Sequence, residues 1–102
     1  MIQISYSPNG VYISGHANYA ETGKDIVCAA ISALVQVVAA AMDKYTNDDF
    51  IAVLTPGHGV IRHSELSTEG QILRKALILG LEMIADEYPQ NVRIERTDKA
   101  LT

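Results

Sequence analysis

Gly15-His16-Ala17-Asn18-Tyr19-Ala20-Glu21-Thr22-Gly23-Lys24-Asp25-Ile26-Val27-Cys28-Ala29-Ala30-Ile31-Ser32 holds one of the three histidines and the single cysteine of the chain, on either side of a short polar segment. Its second half reads as the start of a helix. Asp25 is a favoured N-cap residue, and Ile26-Val27-Cys28 leads into a long apolar, alanine-rich run. Numbered from that cap, Cys28 falls at N3, in the first turn. There its thiol lies near backbone N–H groups without helical partners and near the positive end of the helix dipole, and both favour thiolate over thiol. A thiolate is a nucleophile, and it needs a base or an imidazolium partner. His16, the nearest histidine in sequence, stands at the end of a predicted strand. The loop from there to the helix is long enough to bring the two side chains together.

N-terminal to this stretch, Ile2, Ile4 and Tyr6 alternate with Gln3 and Ser5, a period of two that predicts a half-buried strand. Ser7-Pro8-Asn9-Gly10 is a turn by its chemistry, because Pro8 presets φ and Asn9-Gly10 accepts positive φ. Val11 to His16 resumes β-branched and aromatic residues, so a hairpin forms with His16 at its exit. Asn18 to Lys24, with Gly23, is an exposed, mobile loop, either a plain connector or a flap that moves to admit a ligand.

C-terminal to it, the helix from Ile26 to about Tyr45 is apolar on most sides, so a second helix or another subunit must cover it. Cys28, Ser32 and Gln36 recur at i, i+4 and i+8, forming one polar line below Asp25 that faces water. Strands follow at Phe50–Thr55 and His58–Ser64 around a Pro56-Gly57 turn. Ser67 or Thr68 caps a second helix, with Gln71 as capping-box partner of Thr68. Its apolar stripe is Ile72, Leu73, Ala76, Leu77, Gly80, Met83 and Ile84. Gly80 in mid-helix implies close approach to another backbone, that of the alanine-rich helix. Tyr88-Pro89 ends the helix, and Val92 to Arg96 is the last strand. The order ββαββαβ predicts an α+β fold, an antiparallel sheet layered with two helices, as one domain over 1–102. Strand order does not follow from these patterns.

Composition narrows the classes. The 102 residues are 48% hydrophobic and 20% charged, as in soluble globular proteins. A formal charge of -4 offers no basic field for a phosphate backbone, which disfavours direct nucleic-acid binding. One cysteine makes no intramolecular disulfide, and the start Met1-Ile2-Gln3-Ile4-Ser5 lacks a signal-peptide pattern, so a cytoplasmic protein is expected. Ile26 to Met42 is the only candidate membrane span. It is short and interrupted by Cys28, Ser32 and Gln36, so a buried helix with no membrane partner is the better reading. Three histidines and Cys28 show no HxxxH or CxxC spacing, so neither metal nor cofactor is expected.

Gly15-His16-Ala17, Gly23-Lys24-Asp25-Ile26-Val27-Cys28-Ala29-Ala30 and Ser32-Ala33-Leu34 together closely resemble the signature of the bacterial ribosomal-processing cysteine protease family, and the similarity extends through the chain in length and element order. The resemblance implies an endopeptidase that removes a short N-terminal extension from the twenty-seventh protein of the large ribosomal subunit, acting as a homodimer. Carried over, Cys28 matches the nucleophile and His16 its partner in a Cys/His dyad, while Gly15, Asp25 and Ser32 match supporting positions. Asn18, Tyr19 and Gly23 belong to the substrate loop, where Asn18-Tyr19-Ala20 departs from some members. Tyr19 and the hairpins are expected to line the groove.

The supporting residues also have simpler readings. Asp25 either orients His16 or only caps the helix. Ser32 either supports the site or bonds back to the Cys28 carbonyl, as helical serines do. His58 and His63 read as solvent-facing strand residues. The chemistry expected is nucleophilic acyl transfer, with the oxyanion held by backbone N–H groups at the helix start, including that of Cys28. The alternative is a noncatalytic ribosome-assembly adaptor that binds the same ribosomal protein without cutting it.

Overall fold

The computed structural model describes residues 1–21 and 23–98. Its elements are β1 (Ile2–Ser7), β2 (Gly10–Ser14), α1 (Ile26–Tyr45), β3 (Phe50–Thr55), β4 (His58–His63), α2 (Thr68–Glu87) and β5 (Val92–Arg96). This is the expected ββαββαβ order in an α+β fold. The five strands form one sheet in the order β3-β4-β2-β1-β5. The expected antiparallel pairing holds for β1/β2, β2/β4 and β3/β4, but β5 lies parallel to β1, with Ile2 opposite Val92 and Ile4 opposite Ile94. The sheet is therefore mixed. A hairpin turn reverses a strand, whereas the 20-residue α2 carries the chain back to the end of the sheet where β1 begins.

This topology explains why both helices share one face. The connections β2-α1-β3 and β4-α2-β5 each join strands that run the same way, and such crossovers are right-handed. The two move in opposite directions across the sheet from strands that point in opposite directions, so the same handedness puts both helices on one side. Val27, Ile31, Val35, Val38 and Met42 of α1 and Leu77, Leu81 and Ala85 of α2 meet the inward residues of the strands there. The same path gathers the end of β2, the start of α1, the β3–β4 turn and the start of β5 at one end of the sheet.

Several local expectations are adjusted by packing. Neither Asn9 nor Gly10 uses positive φ; Pro8 and Asn9 form the turn, and the Ser7 hydroxyl donates to Asn9 Oδ1 at 2.8 Å. Ser67 caps α2 through Gly70 N–H, so Gln71 lies outside a capping box and donates instead to the Leu66 carbonyl at 3.0 Å. Asp48 takes the box's role, accepting from both the N–H (2.9 Å) and the hydroxyl (2.8 Å) of Ser67. The buried stripe of α2 is rotated from the expected one: Leu81 and Ala85 are buried, while Ile72, Ala76 and Met83 are exposed. Gly80 does face α1, but its close neighbour is the Leu34 side chain, 2.9 Å from an added Cβ, rather than backbone.

The far end of the sheet is tied by Arg74. Its guanidinium donates to the Ser7 carbonyl, to the Gly10 carbonyl at 3.4 Å and to His63 Nε2 at 2.8 Å. A guanidinium only donates, so Nε2 accepts and Nδ1 carries the proton toward the Ser64 carbonyl at 2.8 Å. His63 is thus buried, not solvent-facing, because its register opposite Phe50 places it on the inward face. Replacing Arg74 with Met keeps the aliphatic stem and strands three acceptors. We expect a loss of about 2 kcal/mol, read as a lower urea midpoint at unchanged slope.

Candidate active site

β2 ends at Ser14, and the chain turns at Gly15, φ +93°, where an added Cβ would stand 2.5 Å from the Met1 carbonyl oxygen. Only glycine fits that conformation and that space. Gly15 N–H donates to the Gly57 carbonyl at 3.0 Å, joining the exit of β2 to the β3–β4 turn. His16, exposed, therefore rests its ring on Gly57: Nε2 lies 2.8 Å from where a Cβ on Gly57 would stand. Gly57 also sits at φ +77°, so the turn and the seat of the imidazole both require glycine there.

Ala17 follows, buried, and its N–H points at Cys28 Sγ, 3.4 Å away. Asn91, in the turn before β5, donates from Nδ2 to the Ala17 carbonyl at 2.9 Å. Asn18 then adopts φ +55°, a left-handed conformation that asparagine tolerates. Tyr19 packs edge-on against Tyr88, with ring centroids 5.4 Å apart, so its ring meets the end of α2 rather than the groove wall where it was expected.

Asp25 caps α1 as expected, with Oδ1 accepting from Val27 and Cys28 N–H, both at 3.0 Å. Its other oxygen accepts from Tyr19 N–H at 3.0 Å and Ala20 N–H at 3.4 Å. Between the two readings of Asp25, its bonds are those of a cap that also braces the loop. Burial alone would raise its carboxyl, but the N–H groups of Cys28, Tyr19, Ala20 and Val27 outweigh it and hold the group below its ordinary value. The cap has a second consequence: the Cys28 N–H expected to hold an oxyanion is already bonded to Oδ1.

Half-buried Cys28, Ser32 one turn below it and exposed Gln36 line a cleft of about 690 Å³, as their spacing predicted. His16, Gly15 and Asp25 line it too, together with Asn18 and Gly23 of the loop and residues 54–59 of the β3–β4 hairpin. His58 is exposed at this rim. Among the described residues no group of three or more His, Cys, Asp and Glu could hold a metal ion. Leu54 to Gly59 and Asn91 carry no motif that marks them for a site. Pro56-Gly57 announces a turn, but only the sheet order brings that turn beneath His16.

Because folding depresses the Asp25 carboxyl, its contribution to stability is complete at neutral pH and is lost as pH falls through the lowered folded value. Asp25→Asn keeps an acceptor for the helix and removes this titration. The variant should lose less stability than the parent between about pH 5 and 2, measured by urea unfolding at each pH. Asp25→Ala removes the cap outright, and should cost about 1 kcal/mol at pH 7 in the same assay.

The family model of cysteine protease Prp matches residues 1–93. The ribosomal processing cysteine protease Prp of Staphylococcus aureus is 32% identical over 87 residues, covering 82% of each chain. A crystal structure of the ribosomal processing protease Prp from that organism, with a covalently linked product peptide, superposes with a TM-score of 0.89 at 27% identity, over 95% of this chain and 100% of that one. Another, with a substrate peptide, gives 0.83 at 26% identity over the same shares. Matched from its first strand into its last, the chain belongs to the cysteine protease Prp family and is a cysteine protease.

Proposed function

We propose that this protease is a cytoplasmic endopeptidase that removes a short N-terminal extension from a large-subunit ribosomal protein, with Cys28 as nucleophile and His16 as its acid–base partner. One observation carries the reading. The single cysteine of a cysteine protease stands in the first turn of a capped helix, on the wall of the cleft that also holds His16. The Cys28 thiolate attacks the scissile carbonyl carbon, and the proton it gave up resides on His16. As the C–N bond breaks, the imidazolium protonates the leaving amine and a thioester remains. Water, deprotonated by His16, then attacks the thioester and releases the thiol.

The substrate class rests on the relatives, which are named for ribosomal processing and include a protease seen with substrate and product peptides. The open cleft between the loop and the β3–β4 turn suits an extended peptide, and a formal charge of -4 suits a basic ribosomal tail. Mass spectrometry of a peptide spanning the extension should show one cut by the parent protein. Cys28→Ala should lower its rate by about a thousandfold or more. Equal cleavage by both would remove Cys28 from the mechanism.

The active unit is a homodimer that pairs through the outer faces of α1 and α2. Of the 20 residues of α1, only Val27, Ile31, Val35, Val38 and Met42 are buried within the chain. Ile26, Val37, Ile72, Leu79 and Met83 are each more than half exposed, and a groove of about 510 Å³ between the helices is lined only by apolar residues and glycine, from Ala30 to Ile84. A surface of this kind is covered in stable proteins, and a second copy presents a matching one. Val37→Glu should turn a concentration-independent dimer into a monomer in analytical ultracentrifugation, with the circular-dichroism spectrum unchanged.

A further inference from the structure

Asn91 lies 74 positions from Ala17 and its amide is neither nucleophile nor base, yet its side chain bonds the backbone beside the sulfur. Ala17 is held at three points. The residue as a whole is buried at 1% exposure, its carbonyl accepts from Asn91 Nδ2 at 2.9 Å, and its N–H reaches Cys28 Sγ at 3.4 Å. Directly after it the chain swings into the left-handed conformation of Asn18. Without the Asn91 bond, the peptide following Ala17 could rotate and the preceding N–H would lose its aim.

We infer that Asn91 is a positioning residue of the protease: by holding the Ala17 carbonyl it keeps the Ala17 N–H directed at the Cys28 sulfur, where that donor stabilises the thiolate. This rests on the reading of Cys28 as nucleophile. The need for such a donor follows from the cap, because Asp25 Oδ1 already occupies the N–H groups of Val27 and Cys28. The loop then supplies what the helix start has spent, since an N–H aimed at a forming negative charge acts without reorganising. Asn91 is well placed to set that aim because its own backbone is fixed: its N–H donates to the Tyr88 carbonyl at 2.9 Å and its carbonyl accepts from Ile2 N–H at 2.8 Å. Both bonds survive replacement by alanine or aspartate, which keep the backbone N–H and carbonyl.

The test uses Asn91→Ala and Asn91→Asp in the full chain. The aspartate variant keeps the shape and replaces the Nδ2 donor with oxygen. Iodoacetamide alkylation of Cys28 at pH 7 needs no substrate, and both variants should react roughly tenfold more slowly than the parent, with kcat on the extension peptide falling in parallel and KM within about twofold. Thermal midpoints should stay close to the parent, because the backbone ties remain. Parent-like alkylation and kcat in either variant would overturn the proposal. So would a loss in Asn91→Ala that Asn91→Asp does not share, since that would indicate packing rather than a hydrogen bond. Failure of the nucleophile reading is distinct: it appears as cleavage by Cys28→Ala, whatever the Asn91 variants do.

Discussion

The Asp25 carboxylate joins two parts of the site that the chain would otherwise leave free to move apart. One oxygen accepts the N–H groups of Val27 and Cys28, and the other accepts those of Tyr19 and Ala20. Helix start and loop are thereby fixed to one planar group, and Cys28 is set in the first turn with its sulfur toward the loop. An aspartate there also places negative charge at the positive end of the α1 dipole, so the bonds and the field act in the same direction. The arrangement commits the helix N–H groups to the cap and leaves the loop backbone to meet the sulfur.

What brings the remaining groups to that place is the path of the chain across the sheet. β2 leaves, α1 begins, β3 turns into β4 and β5 starts at one end, so Gly15, Asp25, Gly57 and Asn91 become neighbours from four separate regions of sequence. Two glycines let this convergence be tight. Gly15 passes beside the Met1 carbonyl, and Gly57 lies under the imidazole. At the opposite end the Arg74 guanidinium ties the β1–β2 turn to His63. Each end of the sheet thus has its own polar fastening, while apolar residues fill the layer between.

The first helix has three working sides. Its inner stripe, from Val27 to Met42, completes the core. Its outer stripe remains apolar and uncovered within one chain, continuous with the apolar outer face of α2 across Leu34 and Gly80. The polar line of Cys28, Ser32 and Gln36 faces the cleft, flanked there by Ala29 and Ile31. A helix this apolar can present a thiol to the cleft because that line lies on a third side, between the sheet and the exposed stripe.

Much of this was legible in the residues. Period-two alternation marked β1, the Asp25 cap and the alanine-rich run marked α1 to within a residue of its observed ends, and i, i+4, i+8 spacing put Cys28, Ser32 and Gln36 on one wall. These are short-range properties, set by backbone dihedrals, capping chemistry and helical pitch. The parallel pairing of β5, the burial of His63, the seat of His16 on Gly57 and the hold of Asn91 on Ala17 were decided only by tertiary structure. Each depends on which segments become neighbours across tens of residues, and that is chosen by crossover handedness and the shared burial of two helix faces, quantities that no local stretch of sequence contains.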